Sequence, residues 1–298
     1  MKSTHVTYFP PKQQKQFDIN YQSIKDTSYA AFFKSELNLP DELLKLINNG
    51  PVKIEQTFSP TIDNINTLYE NLDDFPYAVY GAVDDGQEGL VTFNLHRHYM
   101  EGVSVEMMQW WFTWHVQSKE RYSLWFPHAH IDNSVKYPER LNDNNLSYAE
   151  KMYGNPNRIK EYIGGIYLDG VIHFMDPVDI GLSPTILEKN NLKFSASGWS
   201  HPFDHPDSAS TLMLHIGRDV ENGFELFTCY FIGGHKEFSR ISKIPGSGEN
   251  ALLGLINSGV NKDTIIDMSY EMAMHDLTEF TNLASILPEL YSKFGRGS

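Results

Sequence analysis

The chain has 298 residues, 41% of them hydrophobic, one cysteine and a formal net charge of −14. A core of one large domain or two unequal ones is available. The acidic balance speaks against nucleic acid or an anionic membrane as partner, and Cys229 alone permits neither an internal disulfide nor a cysteine-rich zinc module. No signal-peptide-like run opens the chain and no window has membrane-span length, so a cytoplasmic protein is expected.

Residues 1–75 read as a small helical N-terminal domain, with a boundary near Asp73–Pro76. Asp41–Asn49 follows Pro40 and stops at Asn49-Gly50-Pro51, as a short helix does. Phe17–Leu37 is a second helical candidate, and Thr61–Leu72 a third, with Ile62, Ile65, Leu68 and Leu72 at helical spacing. Residues 76–298 then form the second domain. Tyr80–Val83 and Leu90–Leu95 are strand-like around a turn cluster. Ser104 caps a helix carrying MMQWWFTWH, too aromatic for a solvated face. Arg121–Phe126 reads as a short strand ended by Pro127. Ala129–Lys160 is turn-rich, and so long a polar connection is more often functional than idle. Glu161–Phe174 is mostly strand, broken at Gly164-Gly165 and Asp169-Gly170. Leu192–Ser197 is another strand, and Trp199–Pro206 a loop.

Thr211–Asp219 and Phe224–Ile232 flank Asn222-Gly223, the dipeptide a type I′ hairpin prefers. With that pair at the tip, His215 stands directly opposite Tyr230 on one face of the sheet. Met213 with Ile232 and Gly217 with Thr228 are the neighbouring pairs. From Asp263 to Phe294 the chain lacks glycine, and proline appears only at Pro288. Ile265, Met268, Met272, Leu283, Ile286 and Leu290 recur as one apolar stripe. Two polar residues fall on that stripe, His275 and Glu279. Side chains at i and i+4 lie one above the other, within reach of one ion. Either they are a core histidine donating to a glutamate, or they are half of a metal site.

Ten of the twelve histidines lie between His96 and His235. His128 and His130 follow the presumed strand, and His115, Glu150, Glu161, His201, His205, His215, Glu225 and His235 are further candidates. A catalytic zinc takes three or more such ligands. No nucleotide-binding glycine motif and no GxSxG is present.

WWFTWH at Trp110–His115, RYSLWFPHAH at Arg121–His130, EYIGG at Glu161–Gly165, the His215 and Tyr230 strands and MHDLTEFTNLASILPELY at Met274–Tyr291 together resemble the zinc-dependent carbon–carbon hydrolases of acylated phloroglucinols, the diacetylphloroglucinol and phloretin hydrolases. The resemblance covers most of residues 77–298. It implies an α+β, Bet v 1-like helix-grip fold, a curved antiparallel sheet around a long C-terminal helix. It implies Zn2+ held by His130, Glu161, His275 and Glu279, with His128 as an outer neighbour. Tyr122, Asn133, His215 and Tyr230 map to positions that contact a small acylated phenolic substrate, and a homodimer is expected from the resemblance alone. Glu271, one turn before His275, is the ligand the resemblance passes over. The rival expectation is a non-catalytic carrier of small aromatic ligands on the same scaffold, which has no need of a metal tetrad.

Overall fold

The computed structural model describes residues 2–7, 9–53 and 56–295. Strands β1 (Ser3–His5) and β2 (Asn38–Pro40) pair with each other. The main sheet comprises β3 (Ala78–Asp84), β4 (Gly89–Glu101), β5 (His130–Val135), β6 (Asn157–Ile163), β7 (Ile166–Phe174), β8 (Phe194–Ser195), β9 (Gly198–Pro202), β10 (Thr211–Val220) and β11 (Gly223–His235). Its order is β3-β4-β11-β10-β9-β7-β6-β5, with β8 on β10, and every pairing is antiparallel. The architecture is therefore α+β, one large antiparallel sheet and a helix running Lys262–Phe294.

Both faces of the central strands are covered, which is why β10 and β11 are apolar almost throughout. On one face Met213 and Tyr230 join Phe280, Leu283, Ile286 and Leu290 of the C-terminal helix and the aromatic residues of the helix Val105–Trp114. On the other, Leu212, Leu214, Ile216, Phe227 and Phe231 pack under Ile65, Tyr69, Leu72 and Phe75. Asn261 caps the C-terminal helix by accepting from the Thr264 amide at 3.1 Å. Between His275 and Phe280 every side chain is buried, so this stretch is enclosed on all sides and its polar residues must find partners inside the protein.

Several local expectations change. Arg121–Phe126 is not a strand: Lys119–Ser123 is helical, because the Ser118 hydroxyl accepts from the Arg121 amide and starts a helical turn. The first helix begins at Pro11 and ends at Ile24, and Ile65–Tyr69 forms a 3-10 turn. Asp169-Gly170 lies within an unbroken β7, and Gly198–Pro202 is a strand. The hairpin tip is Glu221-Asn222, with Val220 opposite Gly223. Asn222 alone of the two takes a left-handed φ, 62°, whereas a type I′ turn needs both. Gly223 is held in the ladder by β4: a Cβ there would meet the Met100 carbonyl oxygen at 2.5 Å. His215 therefore pairs with Thr228, and Tyr230 with Met213. The shift is two residues, so His215 and Tyr230 keep a common face as diagonal neighbours.

Candidate metal centre and active site

Segment 122–130 delivers the first ligand candidate, and two asparagines hold it. Asn20, from the N-terminal helix, donates to the carbonyls of Pro127 at 2.9 Å and His130 at 2.7 Å. Asn282, on the C-terminal helix, donates to those of Leu124 and Trp125, both at 2.9 Å. His130 then opens β5 directly opposite Glu161 on β6, so the two side chains share a face. The C-terminal helix brings His275 and Glu279 to the same place.

The four are buried together. His130 Nε2 lies 3.4 Å from Glu161 Oε2 and 3.3 Å from Glu279 Oε2, and His275 Nε2 lies 3.7 Å from Glu279 Oε2. His130 Nδ1 sits 3.1 Å from the Tyr122 carbonyl, which can only accept, so Nδ1 carries the proton and Nε2 a lone pair. That lone pair has no hydrogen-bond partner and faces two carboxylates. Such an arrangement is repulsive unless a proton or a cation lies between. The spacing favours a cation: donors about 2.0–2.2 Å from a tetrahedral ion stand roughly 3.3–3.5 Å apart. The donor set, two imidazoles and two carboxylates with one imidazole oriented by a backbone carbonyl, is one that metal centres use.

Electrostatics agree with this. Burial raises the Glu161 carboxyl to about 7, against a lowering hydrogen bond from Tyr122, whose hydroxyl donates to Glu161 Oε2 at 2.5 Å. Burial, with Asp276 and Glu161 nearby, raises Glu279 well above the usual carboxylate range. Burial lowers His275 to about 4 and holds His130 well below the ordinary imidazole value. Neutral imidazoles and strained carboxylates are the state a bound cation relieves.

The cluster lies at one wall of a cavity lined by Phe112, Trp125, Ile159, Met213 and Met272 among others. Tyr122, Asn133, His215 and Tyr230 line it too. Both side-chain amide atoms of Asn133 are buried without a partner, as is His215 Nδ1. His215 Nε2 meets the Tyr230 hydroxyl at 2.8 Å. His115 also lines the cavity, its Nδ1 donating to the Trp111 carbonyl at 2.7 Å. His128 is turned elsewhere, its ring stacked between Phe9 and Phe17. Glu271 lines a different groove with Gln13 and Gly164.

A second cluster escaped the sequence. Asp276 Oδ2 lies 2.7 Å from His96 Nδ1 and 2.8 Å from His98 Nε2. The His98 contact is a hydrogen bond, whereas His96 Nδ1, though close, is without a hydrogen-bond partner; both separations are shorter than the edge of a metal's coordination shell. The alternation of His96 and His98 on one strand was a usable signal, since both must face the same side.

A family model described as "DAPG hydrolase PhiG domain" matches residues 58–292. The chain belongs to this family. It is 34% identical over 295 residues to a 2,4-diacetylphloroglucinol hydrolase of Pseudomonas protegens, covering 98% of this chain and 92% of that protein. It is 27% identical over 274 residues to the phloretin hydrolase of Eubacterium ramulus, covering 90% of this chain and 91% of that one. The crystal structure of Ara h 8.0201 aligns at a TM-score of 0.29 and 7% identity over 62% of this chain and 99% of its own, too low to carry an argument. The family member described here is a hydrolase whose buried His/Glu cluster could hold a metal ion. Among the described residues, no helix is long and apolar enough to cross a membrane.

Proposed function

We propose that the protein hydrolyses the carbon–carbon bond between an acyl group and a phloroglucinol-type ring, releasing a carboxylic acid, with zinc held by His130, Glu161, His275 and Glu279. The observation that carries this reading is the His130 Nε2 lone pair, buried and unpartnered between two carboxylates at a metal-sized spacing, both of which line an apolar cavity. The names of the relatives supply the substrate class. The same reading takes the fold as helix-grip, the chain as divided near residue 75, and the protein as a cytoplasmic homodimer.

An aryl ketone with flanking phenolic hydroxyls has, in its keto tautomer, a ring carbon that leaves as a stabilised carbanion. Bound zinc supplies a Lewis acid for an oxygen of the substrate and lowers the pKa of water. The protein's own residues do the rest. Phe112, Trp125, Ile159, Met213 and Met272 hold the ring and exclude bulk water. The unpartnered Asn133 amide can donate to one phenolic oxygen and accept from another. Tyr230 and His215, hydrogen-bonded to each other, face the phenolic edge, where histidine moves a proton. Tyr122 holds Glu161 in place through its hydroxyl.

Two measurements test the reading together: metal content of the purified protein, and acid release from acetylated phloroglucinols and from phloretin by wild type and Glu279→Ala. Metal at about one equivalent, with turnover lost in the variant, is expected. Folded, metal-free protein after zinc supplementation, or equal turnover in both, overturns it.

A further inference from the structure

Asp276 follows His275 on the C-terminal helix, about 100° further round, and so turns toward β4 and β11 instead of His130. It is completely buried. Its Oδ2 is within hydrogen-bond distance of His96 Nδ1 at 2.7 Å and His98 Nε2 at 2.8 Å, and accepts from Thr228 Oγ1 at 3.2 Å. Its Oδ1 accepts from the Tyr230 hydroxyl at 3.0 Å. A carboxylate with donors on both oxygens is an acceptor only. The single hydroxyl proton of Tyr230 therefore points at Oδ1. What the phenol oxygen has left for His215 Nε2, 2.8 Å away, is a lone pair. Nε2 must then carry the proton of the neutral ring, and the lone pair falls to Nδ1. That atom is buried, has no partner, and belongs to a side chain lining the cavity.

We propose that Asp276 is a positioning residue that acts through Tyr230 to hold His215 in its Nε2–H tautomer, presenting Nδ1 to the substrate as the proton acceptor. The inference rests on the reading of the cavity as an acylphloroglucinol site. In the step concerned, a phenolic O–H gives its proton to Nδ1 and the electrons left on oxygen form the ring carbonyl. The displaced ring electron pair takes the proton back from Nδ1–H at the carbon bearing the acyl group. The substrate has become its keto tautomer and His215 is neutral again, so the step consumes nothing. Asp276 touches neither substrate nor reacting atoms. Its part is the one a carboxylate plays behind a catalytic histidine in acyl transfer, with a tyrosine interposed.

The tautomer can be read directly. In zinc-loaded protein labelled with 15N-histidine, with His215 identified by its loss in His215→Gln, the long-range 1H–15N pattern is expected to show a neutral ring protonated at Nε2. A ring protonated at Nδ1 overturns the proposal, and this measurement needs no fold-threatening change at Asp276. Kinetics supply the second arm. Asp276→Asn is expected to lower kcat for acid release by about 10²-fold or more while KM stays within about three-fold. Zinc content should stay unchanged. In a Tyr230→Phe background the same substitution should cost no more than about three-fold, because the intermediary is already gone. An equal loss in both backgrounds, or a KM effect with kcat intact, overturns the positioning role. A wild-type protein that shows the Nε2–H tautomer yet releases no acid refutes the assigned reaction and leaves the tautomer assignment standing, so the two failures are distinguishable.

Discussion

Asn282→Ala isolates what the bracing of segment 122–130 contributes to the proposed metal centre. Asn282 is buried, and its Nδ2 donates to both Leu124 and Trp125 carbonyls at 2.9 Å. Removing the amide leaves two interior carbonyls without these donors. Each such group costs about 1–3 kcal/mol, so a loss of roughly 2–4 kcal/mol is expected, allowing for partial relaxation. The damage has a direction as well. Leu124 and Trp125 immediately precede the turn to His130, and Glu279 lies one turn before Asn282 on the same helix. Loosening this junction separates His130 on β5 from Glu279 on the helix, the two proposed ligands it joins, and such supporting contacts are worth about 10–100-fold in metal affinity. Urea denaturation of metal-free protein, together with zinc competition against a chelating dye, reads both effects. Unchanged unfolding midpoint and unchanged affinity would refute the bracing role. A stability loss with full affinity would confine Asn282 to folding.

Other outcomes follow from the same geometry. Metal-free protein should be most stable near pH 6.5. Below that value the buried imidazoles, lowered to about 4 for His275 and His215, bind fewer protons than in the unfolded chain, so stability rises with pH. Above it the unfolded imidazoles are already neutral, while Glu161, raised to about 7, and Glu279, raised further, still lose protons in the folded protein, so stability falls. Denaturation curves from pH 5 to 8.5 check this, and saturating zinc should abolish the alkaline fall; a fall that persists with zinc bound contradicts the ligand set. Tyr122→Phe removes the donor to Glu161 and should weaken zinc about ten-fold, measured by dye competition, with unaltered affinity as the contrary result. Gly223→Ala pushes a methyl toward the Met100 carbonyl and should lower stability by about 1–3 kcal/mol in urea denaturation. A neutral substitution there would mean that β4 does not hold the hairpin register.

The long helix and the hairpin strands were legible because periodicity and turn chemistry are local. What lay beyond was decided by partners far away in sequence. RYSLWF has the aromatic content of a strand, yet Ser118 three residues earlier supplies a helix cap, and the cap prevails once Asn282 donates to the carbonyls that follow. Asn222-Gly223 is a sound turn signal, but the close approach of β4 requires Gly223 in the ladder and moves the tip back by one residue. The face of His215 and Tyr230 survived because a two-residue shift preserves parity. His275 and Glu279 announced themselves as polar breaks in an apolar stripe. Asp276, beside them, lay off that stripe, and its hydrogen-bond partners Tyr230, Thr228 and His98 are 46, 48 and 178 residues distant.

The consecutive pair His275-Asp276 explains why a single helix can serve two kinds of chemistry. Neighbouring residues on a helix point about 100° apart, so one turns to β5 and β6 and the other to β4 and β11. Around His275 the donor atoms stand 3.3–3.7 Å apart, leaving room for an ion. Around Asp276 they stand 2.7–3.2 Å apart, the lengths of hydrogen bonds. One negative charge next to the Glu161 and Glu279 carboxylates is costly, and Asp276 contributes to raising Glu279 in the metal-free protein. His98, Thr228 and Tyr230 offset that cost by hydrogen-bonding to Asp276, with His96 close by, and Asp276 lies well below the usual carboxylate range despite its burial. Enclosing the helix on all sides is what makes both arrangements possible: each face has its own strands to supply partners, and neither cluster has to share them.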